Sequence, residues 1–187
     1  MASSSASSTL LGTDRRVLAL AFARMADALG NSFLIIVLPL YIASGTVAGD
    51  VLGLEESMVT GIVLALFGIA SSLTQPFAGR LSDWAGYRKL FVLAGLLVFS
   101  VANLSFVWAD EYWMLFVIRI VQGGAAAFTI TASIALVNEV SEMRSRGGNM
   151  GVYNAFRLVG FGAGPIAASL MIEAGPFRVG FLPISHS

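Results

Sequence analysis

Five long apolar runs dominate the sequence and decide what the chain can fold into. They cover about residues 17–43, 58–78, 90–109, 112–140 and 149–172, and polar or turn-like segments separate them. About 20 consecutive apolar residues are enough for a helix to cross the hydrocarbon core of a bilayer. Continuous apolar runs satisfy their backbone hydrogen bonds in lipid as helices, whereas barrel strands alternate polar and apolar residues. The sequence therefore predicts an all-α integral membrane protein with five transmembrane helices.

The composition excludes several other classes of protein. Of the 187 residues, 57% are hydrophobic and 12% are charged, against about 45–50% and about 25% in soluble domains. The net charge is zero, so we expect no binding to nucleic acid. There is no cysteine, the single histidine is His186, and no His, Asp and Glu residues have the spacing of a metal site. We therefore expect no metal, no cofactor and no enzymatic activity.

The basic residues are concentrated on one side of the predicted spans. Seven of the 11 Lys and Arg residues precede the first span or lie in the second and fourth connections: Arg15, Arg16, Arg80, Arg88, Lys89, Arg144 and Arg146. The opposite side carries Arg178 alone. Because loops rich in Lys and Arg stay in the cytoplasm, this pattern predicts a protein of the cell membrane with a cytoplasmic N-terminus. Residues 1–14 are expected to form a disordered cytoplasmic tail.

Three polar residues interrupt the first span on one helical face. Arg24, Asp27 and Asn31 are separated by three and four residues, which places them on the same side of a helix. An ionisable side chain in a membrane helix costs at least about 2.5–3.5 kcal/mol on insertion scales. Two interpretations are open: a structural ion pair, or the lining of a transport pathway in which Asp27 titrates. We favour the pathway, because an ion pair has no need of the mid-membrane Asn31.

The fourth and fifth spans carry polar residues with the same spacing, each followed by small residues. These positions are Arg119, Gln122 and Gly123 in the fourth span, and Asn154, Arg157, Gly160, Gly164 and Pro165 in the fifth. Glycine pairs are ordinary packing devices in membranes, whereas proline favours a bend or hinge, and both roles are open here. Three cationic residues within the spans, against Asp27 as the one acid expected to be buried, indicate an anionic substrate, or acids supplied by helices outside this chain.

The connection between the second and third runs carries a recognisable motif. It reads GRLSDWAGYRK from residue 79 to residue 89. Gly79, Leu81, Asp83, Gly86 and Arg88 match a signature of the major facilitator superfamily of secondary transporters, which this segment closely resembles. Trp84 and Tyr87 stand where that family usually has basic residues. The resemblance implies a gating role for Asp83.

Two further segments resemble motifs of the same family. Residues 119–123 are similar to its Arg-x-x-Gln-Gly motif, and this similarity implies a proton-coupling role for Arg119. Residues 160–165 are similar to the glycine-proline motif of the drug/proton antiporter branch, although Ala168 and Ser169 replace the paired glycines that follow it. That similarity implies a hinge at Gly164 and Pro165.

Members of this family are built from two six-helix halves, with the substrate site between the halves. The resemblance covers about residues 15–182 and supplies five helices, with the start of a sixth at Phe177. Residues 183–187 do not resemble the family. We therefore expect the N-terminal half of a transporter that is truncated in its sixth helix, with a C-terminal half or a second copy as its partner.

The resulting expectation is a secondary transporter in the lipid bilayer. The resemblance implies proton-coupled export of a small-molecule substrate, such as a small organic compound, by alternating access. The alternative is a non-transporting membrane protein that docks on a full-length transporter and regulates it.

Overall fold

Five long α-helices make up most of the computed structural model, which describes residues 9–10, 13–45, 47, 51, 53–141, 143 and 145–173. The helices are α1 (Arg15–Ala43), α2 (Glu56–Ala85), α3 (Arg88–Leu104), α4 (Tyr112–Val140) and α5 (Arg146–Glu173). A 3₁₀ helix at Ser105–Trp108 extends α3. Each of the five, with α3 taken together with its extension, is long and apolar enough to cross a membrane. The predicted all-α bundle with five spanning helices is confirmed.

The second helix differs most from its predicted bounds. The predicted connection at 79–89 is helical up to Ala85 and again from Arg88, so only Gly86 and Tyr87 join α2 to α3. Gly86 has a φ of 71°, and its amide donates to the Ser82 carbonyl at 3.2 Å, which is the left-handed cap that ends many helices. Hydropathy marks the edge of the hydrocarbon rather than the end of the helix, because backbone hydrogen bonds continue beyond the bilayer.

Helix α4 is the central helix of the bundle. It packs along α2 and along α3, while α1 packs mainly along α5 and also touches α4. In its most apolar stretch α4 is also the most buried of the five helices. Polar side chains of α4 are therefore the best placed to contact more than one neighbouring helix.

A short antiparallel pair precedes α1. It consists of β1 (Thr9–Leu10) and β2 (Thr13–Asp14), with Thr9 opposite Asp14. These residues belong to segment 1–14, for which a disordered tail is expected, and the rest of that segment lies outside the described residues. The expected start of a sixth helix at Phe177, and residues 183–187, also lie outside them.

Candidate functional site

The first buried polar cluster lies where α1, α4 and α5 meet. We call it the Asp27 group, and it contains Arg24, Asp27, Ser133, Tyr153 and Arg157. Arg24 donates a hydrogen bond to the carboxylate of Asp27, one turn further along α1. Asp27 is only 5% exposed, and its second carboxylate oxygen has no hydrogen-bond partner in the described part of the chain. The attraction between the two charges is therefore little screened by water.

Tyr153 enters the Asp27 group from α5. Its side chain is 2% exposed, and its phenol lies beside the Ser133 hydroxyl of α4. Arg24, Asp27 and Arg157 all lie within electrostatic range of this phenol. Among the described residues, neither the phenol oxygen nor Nε of Arg157 has a hydrogen-bond partner of good geometry. The group thus holds two cations and one acid, with polar atoms that are free to change partners.

The second buried cluster lies between α2, α3 and α4. We call it the Arg119 group, and it contains Phe67, Asn103, Phe106, Arg119 and Gln122. Nη1 of Arg119 donates to Oε1 of Gln122 at 3.3 Å, and Nε2 of Gln122 donates to Oδ1 of Asn103 at 2.9 Å. The guanidinium carbon lies 6.0 Å from the ring centre of Phe67 and 5.9 Å from that of Phe106. Amide and aromatic groups therefore surround the cation.

Arg119 has no acidic partner within the described residues. It is 1% exposed, and its Nε and Nη2 atoms make no hydrogen bond to any of them. A buried charge without a counter-charge carries an effective penalty of several kcal/mol. Two aromatic faces offset part of that penalty through cation–π attraction, but the guanidinium still has two unused donors for an anion.

The two groups lie at different depths in the bundle. Arg24 is nine residues from the start of α1, about 14 Å along the helix axis. Arg119 is 21 residues from the end of α4 on the same side, about 32 Å along that axis. Asn103 of the Arg119 group also lies beside α1, since its amide nitrogen would lie 3.9 Å from a Cβ built on Gly30. The expected pathway residues thus form two clusters rather than one.

The two remaining asparagines expected in the pathway belong to neither cluster. Asn31 is half-buried on α1, one turn beyond Asp27. Asn154 is exposed on α5, and its amide donates to the Met150 carbonyl of its own helix at 3.1 Å. In the described bundle, therefore, Asn154 faces away from the buried polar groups.

Three of the predicted small residues lie at close helix contacts. A Cβ on Gly123 would lie 2.5 Å from the Phe67 carbonyl oxygen of α2. A Cβ on Gly160 would lie 2.2 Å from the Met25 carbonyl oxygen, and one on Gly164 would lie 1.9 Å from the Ser32 hydroxyl. Only glycine fits where helix backbones approach this closely. Helix α5 continues through Pro165 without a break, so these positions act as packing contacts in this conformation.

The motif between α2 and α3 forms a charged cluster at the helix ends. Arg88 donates to the Asp83 carboxylate at 2.6 Å and also to the carboxylate of Glu139 near the end of α4. Gly79 is helical and half-buried, and Leu81 is 43% exposed. The cluster thus ties the α2–α3 turn to the central helix.

Sequence reasoning missed several residues of these clusters. Asn103 could have been found from the sequence, because it is an amide residue in an otherwise apolar run. Tyr153 and Ser133 gave no signal, because tyrosine and serine are common in membrane helices. Gly95 was also missed, although a Cβ there would lie 2.8 Å from the Ala125 carbonyl oxygen. Within the described residues, no three His, Cys, Asp or Glu side chains are placed to hold a metal ion.

The fold and the buried charges define a polytopic membrane protein whose ionisable groups lie between helices, as in transporters. The profile of the Major Facilitator Superfamily matches residues 20–184, and the chain belongs to this family. Its members are secondary transporters, and enzymes are not typical of it.

Curated relatives agree with this assignment. The chain is 36% identical over 121 residues to multidrug resistance protein 2 of Bacillus subtilis, covering 65% of this chain and 28% of the relative. It is 30% identical over 145 residues to quinolone resistance protein NorA of Staphylococcus aureus, covering 78% of this chain and 35% of the relative. The chain thus spans about a third of the length of these relatives. The matches do not favour the alternative of a regulatory membrane protein.

Proposed function

We propose that the chain forms part of a proton-coupled exporter of small organic molecules in the plasma membrane, with its N-terminus in the cytoplasm. The names of the two relatives, multidrug resistance and quinolone resistance, support export of drug-like compounds. The excess of Lys and Arg at the start of α1 and around the α2–α3 and α4–α5 connections supports the orientation. Transport proceeds by alternating access, as is general for this architecture.

The observation that carries the proposal is the buried Arg24–Asp27 pair beside Tyr153 and Arg157. While Asp27 is ionised, it compensates one of the two cations. A proton taken up by Asp27 cancels that compensation and leaves Arg24 and Arg157 as uncompensated like charges on α1 and α5. Their repulsion in a poorly solvated site favours separation of the two helices. Protonation of one carboxylate is thereby linked to a movement of helices.

Arg119 has a different role in the proposal. Its two unused donors and its burial between α2, α3 and α4 suit an anion, supplied either by the substrate or by an acid of another helix. When that anion is present, it lowers the energy of the buried guanidinium, and Arg119 then modulates how readily nearby carboxyl groups release protons. Asn31 and Gln122, together with Asn154 on the exposed face of α5, complete the proposed lining.

The charged cluster at Asp83 acts as a gate in this mechanism. Arg88 shares two carboxylates that belong to α2 and α4, so the cluster holds the ends of these helices together. Opening on this side requires at least one of these bonds to break. Gly164 and Pro165 then serve as the point at which α5 bends.

The substrate site is shared with a further set of helices, either a C-terminal half or a second copy of the chain. The relatives are about three times as long as the matched segment, and their remaining parts are the natural source of those helices. Truncation in the sixth helix stays a prediction.

The test measures proton-driven uptake of a fluorescent quinolone into inside-out vesicles. The vesicles contain the chain alone, or the chain together with the part of the Bacillus subtilis relative that it does not match. We expect uptake only with both parts, abolished by a protonophore and by Asp27→Asn. Ser100→Ala is the control, because that hydroxyl is exposed and, among the residues that the structure describes, bonds only to the Leu96 carbonyl of its own helix, at 2.8 Å.

Three results would each refute a stated part of the proposal. Uptake that survives the protonophore refutes proton coupling. Proton-driven uptake by Asp27→Asn equal to that of Ser100→Ala refutes the role of Asp27. Saturable uptake by the chain alone refutes the need for a separate C-terminal half and supports a second copy as the partner.

A further inference from the structure

An apolar groove runs between α2 and α3, with α4 as its floor. It arises because both helices pack on α4 rather than on each other. Its volume is about 310 Å³, and its lining includes Leu81, Phe91, Val98, Gly124, Ala125 and Phe128. A Cβ on Gly124 would meet nothing within 4 Å, so the floor is open. Leu81 and Val98 are 43% and 45% exposed, so the groove opens at the surface of the bundle.

The groove is long enough to hold an acyl chain and has a rigid aromatic wall at one end. From Phe91 to Val98 it follows α3 for seven residues, about 10 Å. A second apolar hollow of about 360 Å³ shares Val98 and continues to Ser105, so the two together follow α3 for about 20 Å. Half of a hydrocarbon core is about 15 Å thick. The stacked rings of Phe91 and Phe128, 5.8 Å apart, give one end a rigid wall.

The end of the groove nearest the α2–α3 turn carries the residues of a membrane interface. Trp84 is 87% exposed and Tyr87 is 68% exposed, and such aromatic residues settle at the level of lipid headgroups. Arg80 and Lys89 are exposed and pair with no acid among the described residues. The neighbouring acids, Asp83 and Glu139, are both bonded to Arg88. The two remaining cations are therefore available to an anion.

We propose that this face binds one anionic phospholipid, with its phosphate at Arg80 and Lys89 and one acyl chain in the groove over Gly124. Arg80 and Lys89 lie one and two residues from the groove residues Leu81 and Phe91. A phosphate bound at these cations is therefore adjacent to an acyl chain in the groove, with Trp84 and Tyr87 at the headgroup level. The bound lipid fills the gap between α2 and α3 and stabilises the turn that carries Asp83 and Arg88. This site is independent of the pathway residues proposed above.

Fluorescence quenching of Trp84 tests the proposal. Trp108→Phe and Trp113→Phe leave Trp84 as the single tryptophan of the three in the chain. The protein in micelles is titrated with phosphatidylglycerol or phosphatidylcholine, both brominated on the acyl chain. We expect saturable quenching, with tighter binding of phosphatidylglycerol. Arg80→Gln and Lys89→Gln are each expected to weaken its binding about fivefold.

Matched variants separate this site from general contact with lipid. Gly124→Leu fills the floor of the groove and is expected to remove saturable quenching, whereas Gly162→Leu, at an exposed and equally open glycine of α5, leaves it unchanged. Arg146→Gln, at an exposed cation at the start of α5, leaves it unchanged as well. If Gly124→Leu fails to fold, the two exposed variants at Arg80 and Lys89 still decide the result.

Three outcomes would overturn the proposal. Equal binding of the two brominated lipids would show that Arg80 and Lys89 do not contribute to lipid binding. Unchanged quenching in folded Gly124→Leu would show that the acyl chain does not bind in the groove. Quenching that falls as the protein concentration rises, at a constant ratio of brominated lipid to protein, shows that a second copy of the chain covers this face instead.

Discussion

Replacing Gly160 with alanine tests how closely α5 must approach α1. A Cβ at residue 160 would lie 2.2 Å from the Met25 carbonyl oxygen and 2.9 Å from the Met25 carbonyl carbon, whereas ordinary contact begins at 3.4 Å. Both neighbours are backbone atoms, so no side-chain rotation relieves the overlap. Helix α5 would have to move away from α1 by about 1.2 Å, the difference between 3.4 Å and 2.2 Å.

The cost of this withdrawal follows from the contacts that it breaks. A gap of about 0.5–1 Å already removes a quarter to a half of the dispersion energy of the contacting atoms. The Ser32 hydroxyl donates to the Gly160 carbonyl at 3.4 Å, and this long hydrogen bond would be lost. Overpacking costs about 1–3 kcal/mol, a lost hydrogen bond about 0.5–1.5 kcal/mol, and alanine regains about 1 kcal/mol of helix propensity. We expect Gly160→Ala to lower the free energy of unfolding by about 1–3 kcal/mol.

Reversible unfolding in mixed micelles, followed by helical circular dichroism as the fraction of sodium dodecyl sulfate rises, measures this change. Gly162→Ala is the matched control, because it lies in the same helix and its Cβ would meet nothing within 4 Å. It is expected to be as stable as the parent chain or slightly more stable. Equal stability of the two variants would refute the inference that α5 packs on α1 through Gly160.

Three further predictions concern α4 and its neighbours. Arg119→Met should raise the free energy of unfolding by about 1–3 kcal/mol and abolish proton-driven uptake; a loss of stability would show that the cation has an acidic partner in the folded chain. Gly123→Ala should lower the free energy of unfolding by about 1–3 kcal/mol, while Gly124→Ala should not lower it. Equal effects of the two variants in unfolding titrations would contradict the close contact of α4 with α2. Asn103→Leu and Gln122→Leu should each lower the free energy of unfolding by about 1–2 kcal/mol, and the double variant should lower it by less than the sum of the two. Additive losses would exclude a hydrogen bond between Asn103 and Gln122.

The helices could be predicted from sequence because the membrane imposes one simple rule. An apolar run of sufficient length has to be helical, so the number and order of the spans follow directly. The ends of the helices do not follow from that rule. The helical segment from Gly79 to Ala85 contains two charged residues and still continues α2, since what ends the helix is the left-handed Gly86 rather than the edge of the apolar run.

The buried groups were predictable only where both partners lie on one helix. Arg24 and Asp27 are one turn apart, so their spacing predicts the pair. Gln122 also lies one turn from Arg119 on α4. The aromatic partners of Arg119 depend on how α2 and α3 pack on α4, and a single sequence contains no information on that packing. The same limit applies to Glu139, which reaches Arg88 only because the end of α4 lies beside the α2–α3 turn.

Arg24 and Arg119 are both arginines in apolar helices, but their surroundings give them different capacities. The charge of Arg24 already has a fixed acid one turn away, so a further anion gains little there. The charge of Arg119 is stabilised by an amide and two aromatic rings, which leaves most of the attraction for a counter-charge unused. An anion that approaches both arginines therefore gains more at Arg119, because within the described residues only Arg24 of the two has an acidic partner.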